Sequence, residues 1–291
     1  MRRLLRGTGV LYLMLIPVFL FYFIFRIYPI MQGIYLGFFE WSGISPQKNF
    51  VGLSNFINLL YDPQFRLALQ NTLVITFTCV AVQLSLGFSL AWLSVKYRKI
   101  GRVFQSIALF PYLISLVIVG TIWTWIFDPS IGLLNSLLKG IGLGSLTRAW
   151  LGEIGIALLA VLITMNWQGF GLYVILFSVG LGTIPRAIYD SSKVDGLSDF
   201  QTAKHIIIPM LKEVFVVGFI LIVAASFKTF ELIYIMTGGG PAYSTDVLAS
   251  YLYRSSFEML KAGYGSAIAS YMLIFCILIA IFYIRTVKAK E

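Results

Sequence analysis

Long apolar runs joined by short polar connections dominate this chain. Six of them, at about 10–38, 69–95, 104–127, 154–181, 213–236 and 263–285, reach the roughly 20 residues that carry a helix through a hydrocarbon core about 30 Å thick. The pattern predicts an all-α polytopic membrane protein with six transmembrane helices. One polar interruption stands out between the fourth and fifth runs, reading IPRAIYDSSKVDGLSDFQTAKHIIIP from Ile184 to Pro209. Gly196 after Asp195 offers a turn, because glycine takes positive φ without steric cost. The flanks, Tyr189 to Val194 and Leu197 to Ile208, lack Gly and Pro and mix apolar with charged residues, which predicts two short surface helices. Pro209 is expected to open the next apolar run. Two short helices joined by a glycine turn, placed between spans, are something a partner can grip.

The charges set the orientation, since cytoplasmic loops carry the excess of Lys and Arg. The N-terminus has three (Arg2, Arg3, Arg6), the first loop two (Lys48, Arg66) and the second four (Lys96, Arg98, Lys99, Arg102). The third loop has two (Lys139, Arg148), the fourth four (Arg186, Lys193, Lys204, Lys212), the fifth two (Arg254, Lys261) and the tail three (Arg285, Lys288, Lys290). The alternation is unbroken. It places both termini, the second loop and the Ile184–Pro209 stretch in the cytoplasm.

Composition supports this and narrows the chemistry. Of the 291 residues 59% are hydrophobic and 12% charged, with mean hydropathy +0.88, against about 25% charged in soluble proteins. The net charge of +10 is dispersed among short loops and not gathered on one face, so it speaks of topology and not of nucleic acid. The N-terminal apolar run continues past the roughly 7–15 residues of a signal peptide core and lacks a small-x-small site, so it reads as an uncleaved first span. Cys79 and Cys276 lie inside apolar runs and read as buried thiols. His205 stands alone, which argues against a metal site. No nucleophile elbow, Walker A sequence or dinucleotide fingerprint is present. The chain is expected to move or hold something, with any nucleotide hydrolysis supplied by a partner.

Within the spans a few residues stand out. Arg26, between Pro17 and Pro29, sits where it can snorkel to the outer boundary. In the outer loop, Ser54 is placed to N-cap a short surface helix. Pro111, between Phe110 and Tyr112 and followed by Ser115, predicts either a kink facing other helices or a polar pocket wall. Trp123, Trp125 and Phe127 form an outer aromatic belt. Asn166 and Gln168 carry amides that hydrocarbon cannot satisfy, and Gly169 and Gly171 allow close approach of a helix or ligand. Interhelical glue and a substrate-lining role both fit them. Lys228 and Glu231, three apart, can pair on one helical face, as a bland ion pair or as a functional site. Thr237-Gly238-Gly239-Gly240-Pro241 lacks the Gly-Lys-Ser/Thr that a phosphate loop needs.

The interruption resembles the EAA loop of ABC-transporter permease subunits, whose pattern runs Glu-Ala-Ala, two residues, Asp-Gly-Ala, then an aromatic and apolar series ending in Pro. Here the matching residues are Asp190-Ser191-Ser192, Asp195-Gly196-Leu197 and Ile206 to Pro209. Asp replaces Glu, serines replace alanines, and Ala203 takes a place usually aromatic. The segments VGLSNFINLLYDPQFRLALQNT, PYLISLVIVGTIWTWIFDPSIGLLNSLL and TGGGPAYSTDVLASYLYRSSFE are similar to carbohydrate-type, maltose-like, binding-protein-dependent permeases. The resemblance implies a type I ABC importer permease fold. It makes residues 1–291 a single transmembrane domain of a prokaryotic cell membrane, with a cytoplasmic coupling loop at 184–212. The implied partners are a second homologous permease, two ATP-binding subunits that hold ATP and Mg, an extracytoplasmic solute-binding protein and the sugar itself, moved by alternating access.

By position, the resemblance makes Asp190 the contact to a basic residue of the ATPase. Gly196 sets the angle between the two short helices, and Ala203 becomes a shallow plug. In sugar-binding members, polar and aromatic residues of the third to fifth helices line the path. The matching positions are Tyr112, Asn166, Gln168, Gly169, Ser226 and Thr229, with Ser115, Lys228 and Glu231 as neighbours. The rival readings are an ion-coupled secondary transporter using Lys228 and Glu231, and a membrane-embedded enzyme, which the lack of a catalytic cluster disfavours.

Overall fold

A computed structural model describes residues 15–288 of the chain. Arg2, Arg3, Arg6 and Lys290, which entered the charge count, lie outside the described residues, as does the start of the first apolar run. The helices are α1 (Leu15–Leu36), α2 (Ser54–Tyr61), α3 (Pro63–Lys96), α4 (Arg98–Leu113), α5 (Leu116–Ile126), α6 (Leu133–Gly140) and α7 (Ile156–Gly182). After them come α8 (Arg186–Val194), α9 (Asp199–Met210), α10 (Lys212–Phe227), α11 (Glu231–Met236), α12 (Leu248–Tyr253) and α13 (Ala262–Lys288). Among the described residues four helices, α1, α3, α7 and α13, are long and apolar enough to cross a membrane alone. Counting each of two bent helix pairs as one span raises the number to six.

The chain forms two compact units. The first holds residues 15–62 and 252–273. Here α1 carries a π-turn at Phe23–Ile27 that contains the exposed Arg26. A short antiparallel pair follows, β1 (Phe39–Glu40) with β2 (Asn49–Phe50). The Asn55 amide ties its entry to α2, donating at 2.9 Å to the carbonyls of Gly37 and Phe39. Ser54 does not cap α2 as its position predicts. It is the first helical residue, Leu53 takes the cap place, and the Ser54 hydroxyl donates to the Val51 carbonyl at 2.8 Å. The preceding turn claims the hydroxyl before the helix can use it.

The second unit, residues 63–251 and the described part of 274–291, is built on close backbone approach, which replaces the missing hydrophobic drive between helices in lipid. A side chain added at Gly171 of α7 would collide with the Ala108 carbonyl of α4, and one at Gly87 of α3 would lie 2.6 Å from the Tyr173 Cβ. Phe177 of α7 lies between Phe88 of α3, ring centroids 5.8 Å apart, and Phe215 of α10, at 4.5 Å. The glycine noted at 171 therefore receives a helix, and Gly169 receives the Gln83 side chain, whose Nε2 would be 2.6 Å from an added Cβ.

Two apolar runs expected as single helices are broken. The third bends by 92° between α4 and α5. Pro111 is buried inside α4, and the break comes after it, where Ile114 closes a short bond to the Pro111 carbonyl (3.3 Å) and both Ile114 and Ser115 turn extended, with ψ 138° and 136°. The fifth run stops at Phe227 and resumes at Glu231.

The connections after α5 and after α11 are tied down. Asn135 donates to the carbonyls of Pro129 (3.2 Å) and Arg148 (2.9 Å) and accepts from the Trp150 indole N–H at 2.8 Å. The Asn71 amide of α3 donates at 2.8 Å to the carbonyls of Ser244 and Asp246. The buried Asp246 carboxylate accepts from Gln64 (3.1 Å) and Ser250 (3.0 Å). Gly239, at φ +86°, lies so close to that carboxylate that a side chain would collide with it. The glycine run thus packs against an anion, the opposite of what a phosphate cradle needs.

Candidate functional site

The Ile184–Pro209 stretch folds as a compact helical pair anchored at both ends. Pro185 presets the start of α8, and Ile184, Ile207 and Leu211 are buried in the same core as α7. At the end of α8, Gly196 adopts φ +75°. The Leu197 amide donates to the Ser192 carbonyl (3.0 Å) and the Gly196 amide to that of Lys193 (3.1 Å). This paired closure of the last carbonyls is the Schellman arrangement that favours glycine. Two residues on, Ser198 starts α9 with a reciprocal capping box. Its hydroxyl accepts from the Gln201 amide (3.3 Å), and the Gln201 side chain accepts from the Ser198 amide (2.9 Å). The backbone ends at the turn are therefore satisfied locally, and the angle between α8 and α9 is fixed.

Side chains divide into anchors and presented groups. Tyr189 stacks on Trp92 of α3 with ring centroids 5.9 Å apart, and its hydroxyl donates to the Leu181 carbonyl at 3.4 Å. Burial raises the Tyr189 pKa above its ordinary value, so the phenol stays protonated and able to donate. Ser192 is buried and donates to the Tyr189 carbonyl at 2.8 Å, whereas Ser191 is exposed. Asp190, Asp195 and Pro209 are exposed, and Leu197 is half-buried. Ala203, expected as a plug, is 8% exposed and is the first residue of a π-turn at Ala203–Ile207. The most exposed large apolar groups of the pair are Val194, 87% exposed, and Phe200, 74% exposed, on either side of the glycine turn. Both were missed in the sequence, although Phe200 lies only three residues from Ala203 and would have been found by asking which aromatic follows the turn. Pro209 does not open the next run, which starts at Lys212. It sits near the end of α9, before a 73° bend into α10.

The nine residues expected along a path separate into three sets. Tyr112, Ser115 and Gln168 gather at the α4–α5 break, with the Gln168 amide donating to the Tyr112 carbonyl at 3.4 Å. Tyr112 and Ser115 are exposed and Gln168 half-buried. Lys228, Thr229 and Glu231 lie at the α10–α11 break. Gly120 of α5 packs against Leu232 and Ile235 of α11, with gaps of 3.0–3.4 Å to an added Cβ, so the two short helices that follow the breaks lie together. Asn166, Gly169 and Ser226 are buried. Asn166 donates to the Leu162 carbonyl at 2.8 Å, leaving its own Oδ1 buried without a partner. Lys228 and Glu231 do not pair: α10 ends before Lys228, Phe230 leaves helical geometry at φ −134° and ψ −52°, and both charges are exposed. Among the described residues no His, Cys, Asp or Glu cluster could hold a metal ion.

A helical membrane protein with broken spans and an anchored helical pair between two of them belongs to the class of transporter subunits. The chain is a member of the binding-protein-dependent transport system inner membrane component family, whose model matches residues 83–288. It is 35% identical to the probable ABC transporter permease protein YurN of Bacillus subtilis over 282 residues, covering 96% of each chain. It is 30% identical to the trehalose/maltose transport system permease protein MalF of Thermococcus litoralis, covering 96% of this chain and 94% of that one. Among solved structures it shares the fold of a bacterial ABC transporter involved in importing the acidic polysaccharide alginate. The TM-score is 0.85 at 23% identity, over 99% of this chain and 98% of that one. Membership sets aside the ion-coupled reading.

Proposed function

We propose that this chain is the permease subunit of an ATP-driven importer that carries a sugar or oligosaccharide across the prokaryotic cell membrane. The observation that carries the proposal is the anchored α8–α9 pair. It is held by buried Ile184 and Ile207, closed at Gly196, and presents Asp190, Val194 and Phe200 to a partner. Two ATPase subunits, holding ATP and Mg, grip this pair and its counterpart on a second, homologous permease. When ATP closes the ATPase dimer, the pair moves as a rigid body and biases the bundle toward its outward-open state. The energy comes from differential affinity of the partners for the two states. Asp190 meets a basic residue, and Phe200 with Val194 fills an apolar cleft, the role that sequence alone assigned to Ala203.

The orientation with both termini cytoplasmic follows from the Lys and Arg alternation, and six spans follow if each broken run crosses once. α10 has 16 residues, short of the roughly 20 that span a bilayer, and α11 completes the depth. Sugar arrives from an extracytoplasmic solute-binding protein and passes the breaks. There Tyr112, Ser115, Gln168, Lys228, Thr229 and Glu231 offer hydroxyl, amide and charged groups, while Asn166, Gly169 and Ser226 set the helix spacing behind them. Carbohydrate cargo is supported by the trehalose/maltose relative. The proposal is tested with the importer reconstituted in vesicles: Asp190→Lys and Gly196→Pro should insert and assemble yet abolish ATP-dependent uptake. Uptake at the unmodified rate by both would refute the coupling role.

A further inference from the structure

A cavity of about 1230 Å³ lies between α3, α4, α7 and the α8–α9 pair, somewhat larger than the roughly 300–1,000 Å³ that hold small ligands. Its charged lining is Arg102 of α4 and Arg186 and Lys193 of α8, against Asp190 and Asp199, so cations outnumber carboxylates by three to two. None of these three cations forms an ion pair among the described residues. Asp199 occupies the first turn of α9, where the helix dipole already favours a carboxylate. The wall also carries Gln105, whose amide donates to the Ser178 hydroxyl at 3.0 Å. Ile175 and Val179 of α7 supply apolar lining. Cations at one part and aliphatic side chains at another are the lining an amphiphilic anion requires.

We infer that this cavity binds a phosphate ester, and that its source is the headgroup of an anionic phospholipid of the inner leaflet. Guanidinium groups match phosphate oxygens in fork geometry, and basic pockets between helices on the cytoplasmic side hold anionic headgroups. A soluble sugar phosphate offers the same oxygens but leaves Ile175 and Val179 uncovered, which favours the lipid. Bound there, the headgroup bridges α4 to α8 across the Ile184–Pro185 joint and links the spans to the coupling loop. The inference rests on the cytoplasmic placement proposed above.

The experiment is native mass spectrometry of the whole importer, released from discs of phosphatidylcholine alone or mixed with phosphatidylglycerol. The unmodified complex should retain phosphatidylglycerol, and Arg102→Gln with Arg186→Gln should weaken that retention about tenfold, as expected for lost charge-assisted hydrogen bonds. Phosphatidylcholine retention should not change. Equal phosphatidylglycerol retention by the variant would overturn the site. Glycerol 3-phosphate bound as tightly in neutral discs would overturn the lipid as source. If the double variant fails to assemble, Lys193→Gln, at an exposed position, carries the same comparison. Retention is read without ATP or transport, so its failure leaves the coupling proposal standing, and failed coupling in Phe200→Ala, a residue outside the cavity lining, leaves retention intact.

Discussion

Gly196 is limited by conformation and not by space. Nothing lies within 4 Å of an added Cβ, yet φ is +75°, a region that costs an L-residue about 1–2 kcal/mol. Gly196→Ala should therefore lower thermal stability slightly while sparing much of the coupling, whereas Gly196→Pro, locked near φ −65°, should break the turn. Uptake and ATPase assays on the two variants separate strain from loss of shape. The two amides of α7 should also behave differently. Leucine at 166 removes a buried oxygen that has no partner and nearly matches the asparagine in size, so Asn166→Leu should leave melting unchanged or raise it. Gln168→Leu should impair uptake at unchanged assembly, because that amide sits at the α4–α5 break. Equal uptake by the unmodified protein and Gln168→Leu would return Gln168 to interhelical packing.

At the scale of elements, the α8–α9 pair is a preformed docking unit. Truncating Phe200 to Ala should weaken ATPase binding by about tenfold or more, as for a buried aromatic anchor at an interface. Ala203→Ser should change it little, since Ala203 faces inward. Pull-down titration of the ATPase against the two variants decides between them; equal losses would restore Ala203 as a contact. The helical pair itself was legible because a Gly turn, a Ser cap and Gln three residues later are local signals read from a few neighbours. The inward face of Ala203 was not, because which side of α9 packs on the core depends on tertiary contacts that no local signal records. The breaks were legible only in part. Pro111 predicts a kink, but that it falls at Ile114 and Ser115, and that the chain leaves the helix between Lys228 and Glu231, is recorded only in the bond pattern after Pro111 and in the backbone around Phe230. The reading of Lys228 and Glu231 as one helical face depended on a continuity that the backbone does not have.

For the whole molecule, the apolar runs and the charge alternation carried the class of protein, because both follow from the bilayer as solvent and need no knowledge of packing. What binds at the breaks was less accessible. Depth in the membrane does not say whether an amide is spent inside its own helix, as Asn166 is on the Leu162 carbonyl, or reaches a break in another, as Gln168 does. Affinity purification of the tagged chain should bring down one ATPase species and a second permease. Sugar uptake should follow luminal or cytoplasmic ATP and persist when proton and sodium gradients are collapsed; dependence on either gradient after ATP removal would refute the ATP-driven assignment.

The turn at Gly196 has one more consequence, for how the subunit evolves. Since Ser198 and Gln201 bond each other, and the Leu197 and Gly196 amides close the carbonyls of Ser192 and Lys193, the local fold of the pair does not draw on the side chains at 194 and 200. Those two positions are free to drift. A lineage can retune its grip on the ATPase, or come to share one ATPase among several permeases, by exchanging two surface side chains while the scaffold beneath stays as it is.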